Sequence, residues 1–154
     1  MPGFQPQDPD FAARVRASFA RQRMMETLGA LLTRVAPGEV EIELPFRAEL
    51  TQQHGFLHAG VIAALADTAC GYAASTLMAA EAAVLSVEFK INLLAPALGE
   101  RFAARGRVTR PGRTLTVCTG EVFARGGSAA GGDKLIAVML ATMMAIHGRP
   151  GMTG

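Results

Sequence analysis

An α+β domain, with one long helix packed on a single antiparallel sheet, is predicted by three features of the sequence. The run from Ala59 to about Met78 is rich in alanine and glycine and carries one charge, Asp67. A helix that is apolar on nearly every side is a buried one. The segments before and after it alternate apolar and polar residues with a period of two, the signature of strands with one dry and one wet face. Turn signals, Pro37-Gly38 and Arg110-Pro111-Gly112-Arg113, fall between these alternating runs.

The elements follow in order. Residues 1–9 hold three prolines and are read as a flexible arm. From Asp10, a candidate cap, to about Leu32 the sequence suits helix: Phe11, Val15 and Phe19 recur four apart, and Gly29 ends a short turn containing Met24, Met25 and Leu28. Leu31–Ala36 can pair across Pro37-Gly38 with the strand in which Val40, Ile42, Leu44 and Phe46 alternate with Glu39, Glu41, Glu43 and Pro45. Residues 47–58 show no period and are read as a loop. The small residues of the central helix (Ala63, Ala66, Ala69, Gly71, Ala73) let it lie very close to a curved sheet. Leu85–Leu94 then places Val87, Phe89 and Ile91 on one face, and Arg101–Val108 sets Phe102, Ala104 and Val108 opposite Arg101, Arg105 and Arg107. Leu115–Phe123 returns from the hairpin turn, and the glycine-rich stretch 125–132 is a flexible loop. Leu135–Ile146 is apolar on both faces, which places it centrally in the sheet or under another subunit. The whole reads as one domain over residues 10–148 with an N-terminal helical extension and a flexible tail at 149–154.

Composition excludes several functions. In 154 residues, 50% hydrophobic and 18% charged content gives a packed core rather than disorder. Fifteen Lys+Arg against thirteen Asp+Glu leave +2, too little for non-specific nucleic-acid binding. Cys70 and Cys118 have no CxxC spacing and read as reduced core residues. The histidines have no metal-ligand companions at useful spacing, so no metal is expected. The glycines of 125–132 lack the Lys-Ser/Thr ending of a phosphate loop, and there is no G-x-S-x-G elbow. The amino terminus does not read as a secretory signal, and residues 57–78 contain Asp67 and several hydroxyls, a weak payload for lipid. The expected address is the cytoplasm, with no membrane contact.

Two features can carry chemistry. Asp67 lies inside a buried helix with no Arg or Lys at four-residue spacing. It is either a structural carboxylate satisfied from another element or an activated base or nucleophile in an apolar pocket. The second feature is His54-Gly55-Phe56-Leu57-His58-Ala59-Gly60, just before the helix. First-turn amides have no intrahelical partner and, with the helix dipole, can hold an oxyanion. Ala59 and Asp67 are eight residues apart, or about 12 Å along one helix at ~1.5 Å per residue. One helix cannot bring both to a single carbonyl, whereas two antiparallel copies can, so a shared reaction requires a symmetric dimer with composite sites.

Gln53-His54-Gly55-Phe56-Leu57-His58-Ala59-Gly60-Val61-Ile62-Ala63-Ala64-Leu65-Ala66-Asp67, followed by a small-residue helix and Ser86-Val87-Glu88-Phe89-Lys90-Ile91-Asn92-Leu93-Leu94-Ala95-Pro96, resembles the PaaI-type branch of the hotdog-fold acyl-coenzyme A thioesterases. The likeness runs from Leu28-Gly29-Ala30 to Ile146. It implies a long helix wrapped by a curved sheet, dimerised into a continuous sheet and often paired again into a homotetramer. It implies thioester hydrolysis with Asp67 as nucleophile or general base. The amide of Ala59, with Gly60 beside it, would be the oxyanion hole of the opposing subunit, and His58 would fix this loop. Gln52 stands where relatives place an Asn near the substrate carbonyl, and Ser86 near a serine that holds the attacking water. The family's His-Gly-Gly is His58-Ala59-Gly60 here, so a methyl narrows the approach to the amide.

A reactive thioester needs only a carboxylate, a water and an oxyanion hole, with no cofactor beyond the coenzyme A of the substrate. Arg105, Arg107, Arg110, Arg113 and Arg125 are candidate contacts for its phosphates. Phe56, Tyr72 or Leu77 would line an acyl pocket suited to an aromatic or a short to medium aliphatic chain. The competing readings are a hotdog-fold hydratase or dehydratase, which wants a histidine at Cα and Cβ, and a non-catalytic acyl-coenzyme A binding module.

Overall fold

The computed structural model describes residues 3–126 and 132–152. Two helices, α1 (Phe11–Ala20) and α2 (Arg23–Leu28), lead into β1 (Leu31–Ala36) and β2 (Glu39–Pro45). A single turn of 3-10 helix at Ala48–Leu50 precedes the central helix α3 (Ala59–Ser75), and β3 (Ala83–Leu93), β4 (Arg101–Arg110), β5 (Leu115–Arg125) and β6 (Lys134–Ile146) complete the chain. Each expected element is present. The N-terminal helical stretch ends at Gly29, whose φ of 76° places it in the left-handed region that glycine tolerates. Leu31 and Leu32 belong to β1 rather than to the helix.

The strands form one antiparallel sheet in the order β1-β2-β4-β5-β6-β3, and α3 packs across one face of it. The close approach has a specific cause. Gly106 of β4 faces Gly120 of β5 in the register. A Cβ on Gly106 would stand 2.3 Å from the carbonyl carbon of Ala69, and one on Gly120 would stand 3.1 Å from Cys70 Sγ. Two facing glycines thus make a saddle on which the helix backbone rests. Around it lie the fully buried Leu65, Ala69, Val40, Ile42, Leu44, Phe102, Val122 and Met143. Burial pushes the Cys118 thiol up to about 12 and raises that of Cys70, so both are inert core thiols.

β6 is an inner strand flanked by β5 and β3, one of the two placements expected for it. The two edge strands are β1 and β3, and on β3 Leu85, Val87, Phe89 and Leu93 are each more than two-fifths exposed. Two residues of the expected arm, Phe4 and Asp8, are held against the domain. Phe4 packs over Gly38, and Asp8 is buried against Arg14 at 2.8 Å. The same guanidinium donates to the carbonyl oxygens of Ser75 (3.0 Å) and Met78 (3.1 Å), supplying partners to the end of α3. Arg14 beside Asp8 holds that carboxyl below its ordinary value of 3.8. Residues 1 and 2 of the expected arm, 127–131 of the expected glycine-rich loop and 153 and 154 of the expected tail lie outside the described residues. Among the described residues, no helix is long and apolar enough to cross a membrane.

Candidate active site

The start of α3 is held by the loop before it. Thr51 and Leu57 form an isolated bridge, and the His58 N–H donates to the Leu50 carbonyl at 2.9 Å. His58 is the N-cap: its Nδ1 accepts the Gly60 N–H at 2.8 Å, and its carbonyl accepts from Val61 and Ile62. An accepting Nδ1 places the ring proton on Nε2. Gly60 lets the ring fold back, since a Cβ there would sit 3.0 Å from Nδ1.

Three of the first four helical amides are therefore taken. Of these four, the exposed Ala59 N–H has no partner among the described residues. Beside Ala59, the amide of Gly60 is bonded to the ring of its own cap, His58. Gln52 shares a pocket of about 400 Å³ with Ala59, Phe56, Leu93 and Pro96. Its side-chain oxygen accepts the His54 N–H, so that oxygen braces the turn before the helix.

Two turns along the helix, Asp67 occupies a different pocket, of about 180 Å³. Ser86 of β3 donates its hydroxyl proton to Asp67 Oδ1 at 2.6 Å. Asp67 is half-buried, and the pocket is not the apolar one expected for it. Its walls include Ser18, Gln22, Thr68, Tyr72 and Ser75. Ser18 and Gln22 come from the N-terminal helices, and no spacing in the sequence connects them with Asp67. Tyr72 Oη lies 3.3 Å from Ser18 Oγ, and burial pushes the Tyr72 hydroxyl up, keeping it protonated. The three residues expected to line one acyl pocket are dispersed. Phe56 lies beside Ala59, Tyr72 beside Asp67, and Leu77 in a third cavity beyond the end of α3.

The arginines divide into two groups. Arg105 binds Glu41 at 2.8 Å with its guanidinium over the Phe123 ring, and Arg107 binds Glu39 at 3.3 Å and Glu121 at 3.6 Å. Arg125 binds Asp133 at 2.9 Å and also Glu41 and Glu43. These three are engaged in a carboxylate network. Arg110 and Arg113, at the exposed β4–β5 hairpin, have no ion pair among the described residues. No group of three or more His, Cys, Asp or Glu among the described residues is placed to hold a metal.

Within one chain, then, two half-sites stand apart: Ala59 with Gln52 and His58, and Asp67 with Ser86. The sequence profile of the Thioesterase superfamily matches residues 54–130, half of the chain; this span contains His58, Ala59, Asp67 and Ser86, while Gln52 lies just before it. A protein of Saccharolobus solfataricus whose name assigns it provisionally to the esterases is 38% identical over 80 residues. That match covers 52% of this chain and 56% of the relative, so the chain spans little more than half the length of this relative. A crystal structure of a thioesterase family protein from Silicibacter pomeroyi is 55% identical, with a TM-score of 0.86 over 90% of this chain and 99% of that one. The E. coli PaaI protein from the phenylacetic acid degradation operon, 20% identical, shares the fold with a TM-score of 0.77 over 94% of this chain and 96% of its own. On its sequence and its hotdog architecture, the chain belongs to the Thioesterase superfamily.

Proposed function

We propose that the protein hydrolyses acyl-coenzyme A thioesters at composite sites, each built from Asp67 and Ser86 of one subunit and the Ala59 amide of another. The observation that carries this reading is the separation of two complementary half-sites on one helix. A free N–H at the positive end of α3 has no acid or base in its own pocket, and the Asp67 carboxylate has no free helix amide in its own. The apolar open edge of β3, which carries Ser86, is the natural surface for a second copy.

In this arrangement the Ala59 N–H receives the developing oxyanion of the thioester carbonyl. Asp67, held by Ser86, either takes a proton from an attacking water or attacks the carbonyl itself. In the first route the proton passes from Asp67 to the departing thiolate. In the second, water hydrolyses the mixed anhydride and regenerates the carboxylate. Gln52 and His58 position the loop that presents Ala59, and of the five candidate arginines Arg110 and Arg113, without an ion pair among the described residues, would meet the coenzyme phosphates. A hydratase would need a histidine aimed at the acyl chain. The engagement of His58 Nδ1 by Gly60 favours hydrolysis over that chemistry.

The test is thiol release over a panel of aromatic, short and medium acyl-coenzyme A substrates, with sedimentation of the same preparation. Release of free coenzyme thiol by a dimer or tetramer is expected. Tight binding of all substrates without release would make the protein a binding module, and an active monomer would contradict the composite site.

A further inference from the structure

A third cavity lies beyond the C-terminal end of α3. At about 370 Å³ it is larger than the Asp67 pocket, at about 180 Å³, and it shares no wall residue with that pocket or with the one beside Ala59. Buried Leu77, Met78 and Ala145 give it an apolar floor. Its polar wall residues include Arg113, Thr116 and His147, and no carboxylate among the described residues lines it. The turn that carries Arg113 is pinned. The Gly112 N–H donates to Thr116 Oγ1 at 3.4 Å, and a Cβ on Gly112 would stand 2.1 Å from the Leu115 carbonyl oxygen. The Ala145 N–H donates to the Thr114 carbonyl at 2.9 Å. His147 Nδ1 stands 4.0 Å from the exposed Glu81, and the exposed Arg113 has no ion pair among the described residues. The C-terminal end of a helix ordinarily repels an anion, because its last carbonyls carry partial negative charge. Here the carbonyls of Ser75 and, just beyond the helix, Met78 accept from the Arg14 guanidinium, and that of Ala74 accepts the Leu77 N–H.

We infer that this cavity is a second ligand site, and that it takes the anion of a free carboxylic acid with a compact apolar body. The carboxylate pairs with the guanidinium fork of Arg113, which matches two oxygens at once, and the hydrocarbon covers Leu77, Met78 and Ala145. One guanidinium beside an apolar floor suits a single negative charge, whereas a diphosphate carries more charge than it neutralises. Of the two hairpin arginines without an ion pair among the described residues, Arg113 lines the cavity and Arg110 does not, which leaves Arg110 to the coenzyme. The site stands apart from the composite one, and its occupancy does not depend on thioester hydrolysis. The acid that such hydrolysis releases belongs to the same chemical class.

The chain has three histidines: His54 and His58 precede α3, and His147 lines the cavity at its other end. Their ring signals in NMR therefore report which end of the helix a ligand occupies. Titration of the full chain with octanoate and with 4-phenylbutanoate should move the His147 signal and leave those of His54 and His58 in place. The corresponding alcohols, octan-1-ol and 4-phenylbutan-1-ol, should bind about tenfold more weakly or worse, and Arg113→Gln should weaken the acids by a similar factor. Desulfo-coenzyme A, which has no thiol to react, should not displace either acid. An unmoved His147 signal, a response at His54 and His58 instead, equal affinity for acid and alcohol, full affinity in Arg113→Gln, or displacement by desulfo-coenzyme A would overturn the assignment. Binding is read without turnover, so a chain that holds the acids at His147 and hydrolyses no thioester would sustain the site while removing the thioesterase reading.

Discussion

The hydroxyl of Ser86, on the open edge strand, donates to Asp67 Oδ1 at 2.6 Å and so ties the charge of the central helix to the sheet. Asp67→Asn keeps size and polarity but loses the negative charge and nearly all basicity. Turnover should fall by about 10²–10⁴, the usual worth of general acid–base catalysis, with KM little changed. Ser86→Ala removes one hydrogen bond to a carboxylate and should cost about tenfold in turnover. Melting temperatures of both variants, taken on the preparations used for kinetics, separate catalysis from folding. A destabilised Asn variant with parental turnover would make Asp67 structural.

At the start of the helix, Ala59→Pro removes the first-turn amide that has no partner among the described residues. Proline suits the first helical position, and His58, at φ −63° and ψ 138°, already has the extended backbone that a following proline requires. The variant should therefore fold and lose about 10²–10³ in turnover, the scale of one oxyanion donor. Ala59→Gly should keep or raise turnover, since the amide stays and the methyl goes. Steady-state kinetics with a melting curve for each variant checks both.

The glycine saddle makes a prediction about stability alone. Gly106→Ala would drive a Cβ into the backbone of Ala69, whose carbonyl carbon and oxygen both lie 2.3 Å from its position, and backbone cannot step aside as a side-chain tip can. The loss should reach the upper end of the ~1–3 kcal/mol typical of overpacked cores, read as a lower denaturant midpoint. Gly71→Ala, where nothing lies within 4 Å of the added methyl, is the control and should match the parent or exceed it slightly.

Asp8 makes stability depend on acid. Its carboxyl is held below 3.8 in the folded chain by the Arg14 hydrogen bond, so the folded state binds the proton less readily than the unfolded one. Its contribution is present above pH 3.8 and is lost as pH falls through the depressed folded value. Asp8→Asn should lower Tm at neutral pH, and the gap to the parent should close as pH falls below 3.8. A gap unchanged across that range would show that the packing around Asp8, not its charge, supports the end of α3.

Much of this was legible in the sequence, for identifiable reasons. The period-two runs and the nearly charge-free helix are direct imprints of burial, and they located every strand and the central helix. The separation of Ala59 from Asp67 needed only helical rise. What escaped depended on pairing. Simple alternation over Leu85–Leu94 puts Ser86 on the face opposite Phe89. The register shift between Ser86 and Glu88 reverses this. Ser86 pairs with buried Met143, Phe89 with buried Ala141 and Ile91 with buried Met139, so all three share the helix-facing side. That bulge brings Ser86 to Asp67. The arginines escaped for a similar reason: β2 and β4 are distant in sequence, and only their adjacency sets Glu39 opposite Arg107 and Glu41 opposite Arg105. Gln22 carried no signal because a polar residue between two short helices looks like any wet connection.

The most direct test of the composite site is complementation between two inactive chains. Asp67→Asn retains the Ala59 amide, and Ala59→Pro retains the Asp67 carboxylate. A mixed dimer therefore has one site with both defects and one site intact. With the two chains co-expressed in equal amounts under different affinity tags, random pairing should restore about one quarter of the parental turnover, half of the dimers being mixed and each carrying one of its two sites. Purification through both tags in succession should raise this to about one half. Mixed dimers that stay at the level of the two inactive parents would contradict the account, because Ala59 and Asp67 would then have to act from the same chain.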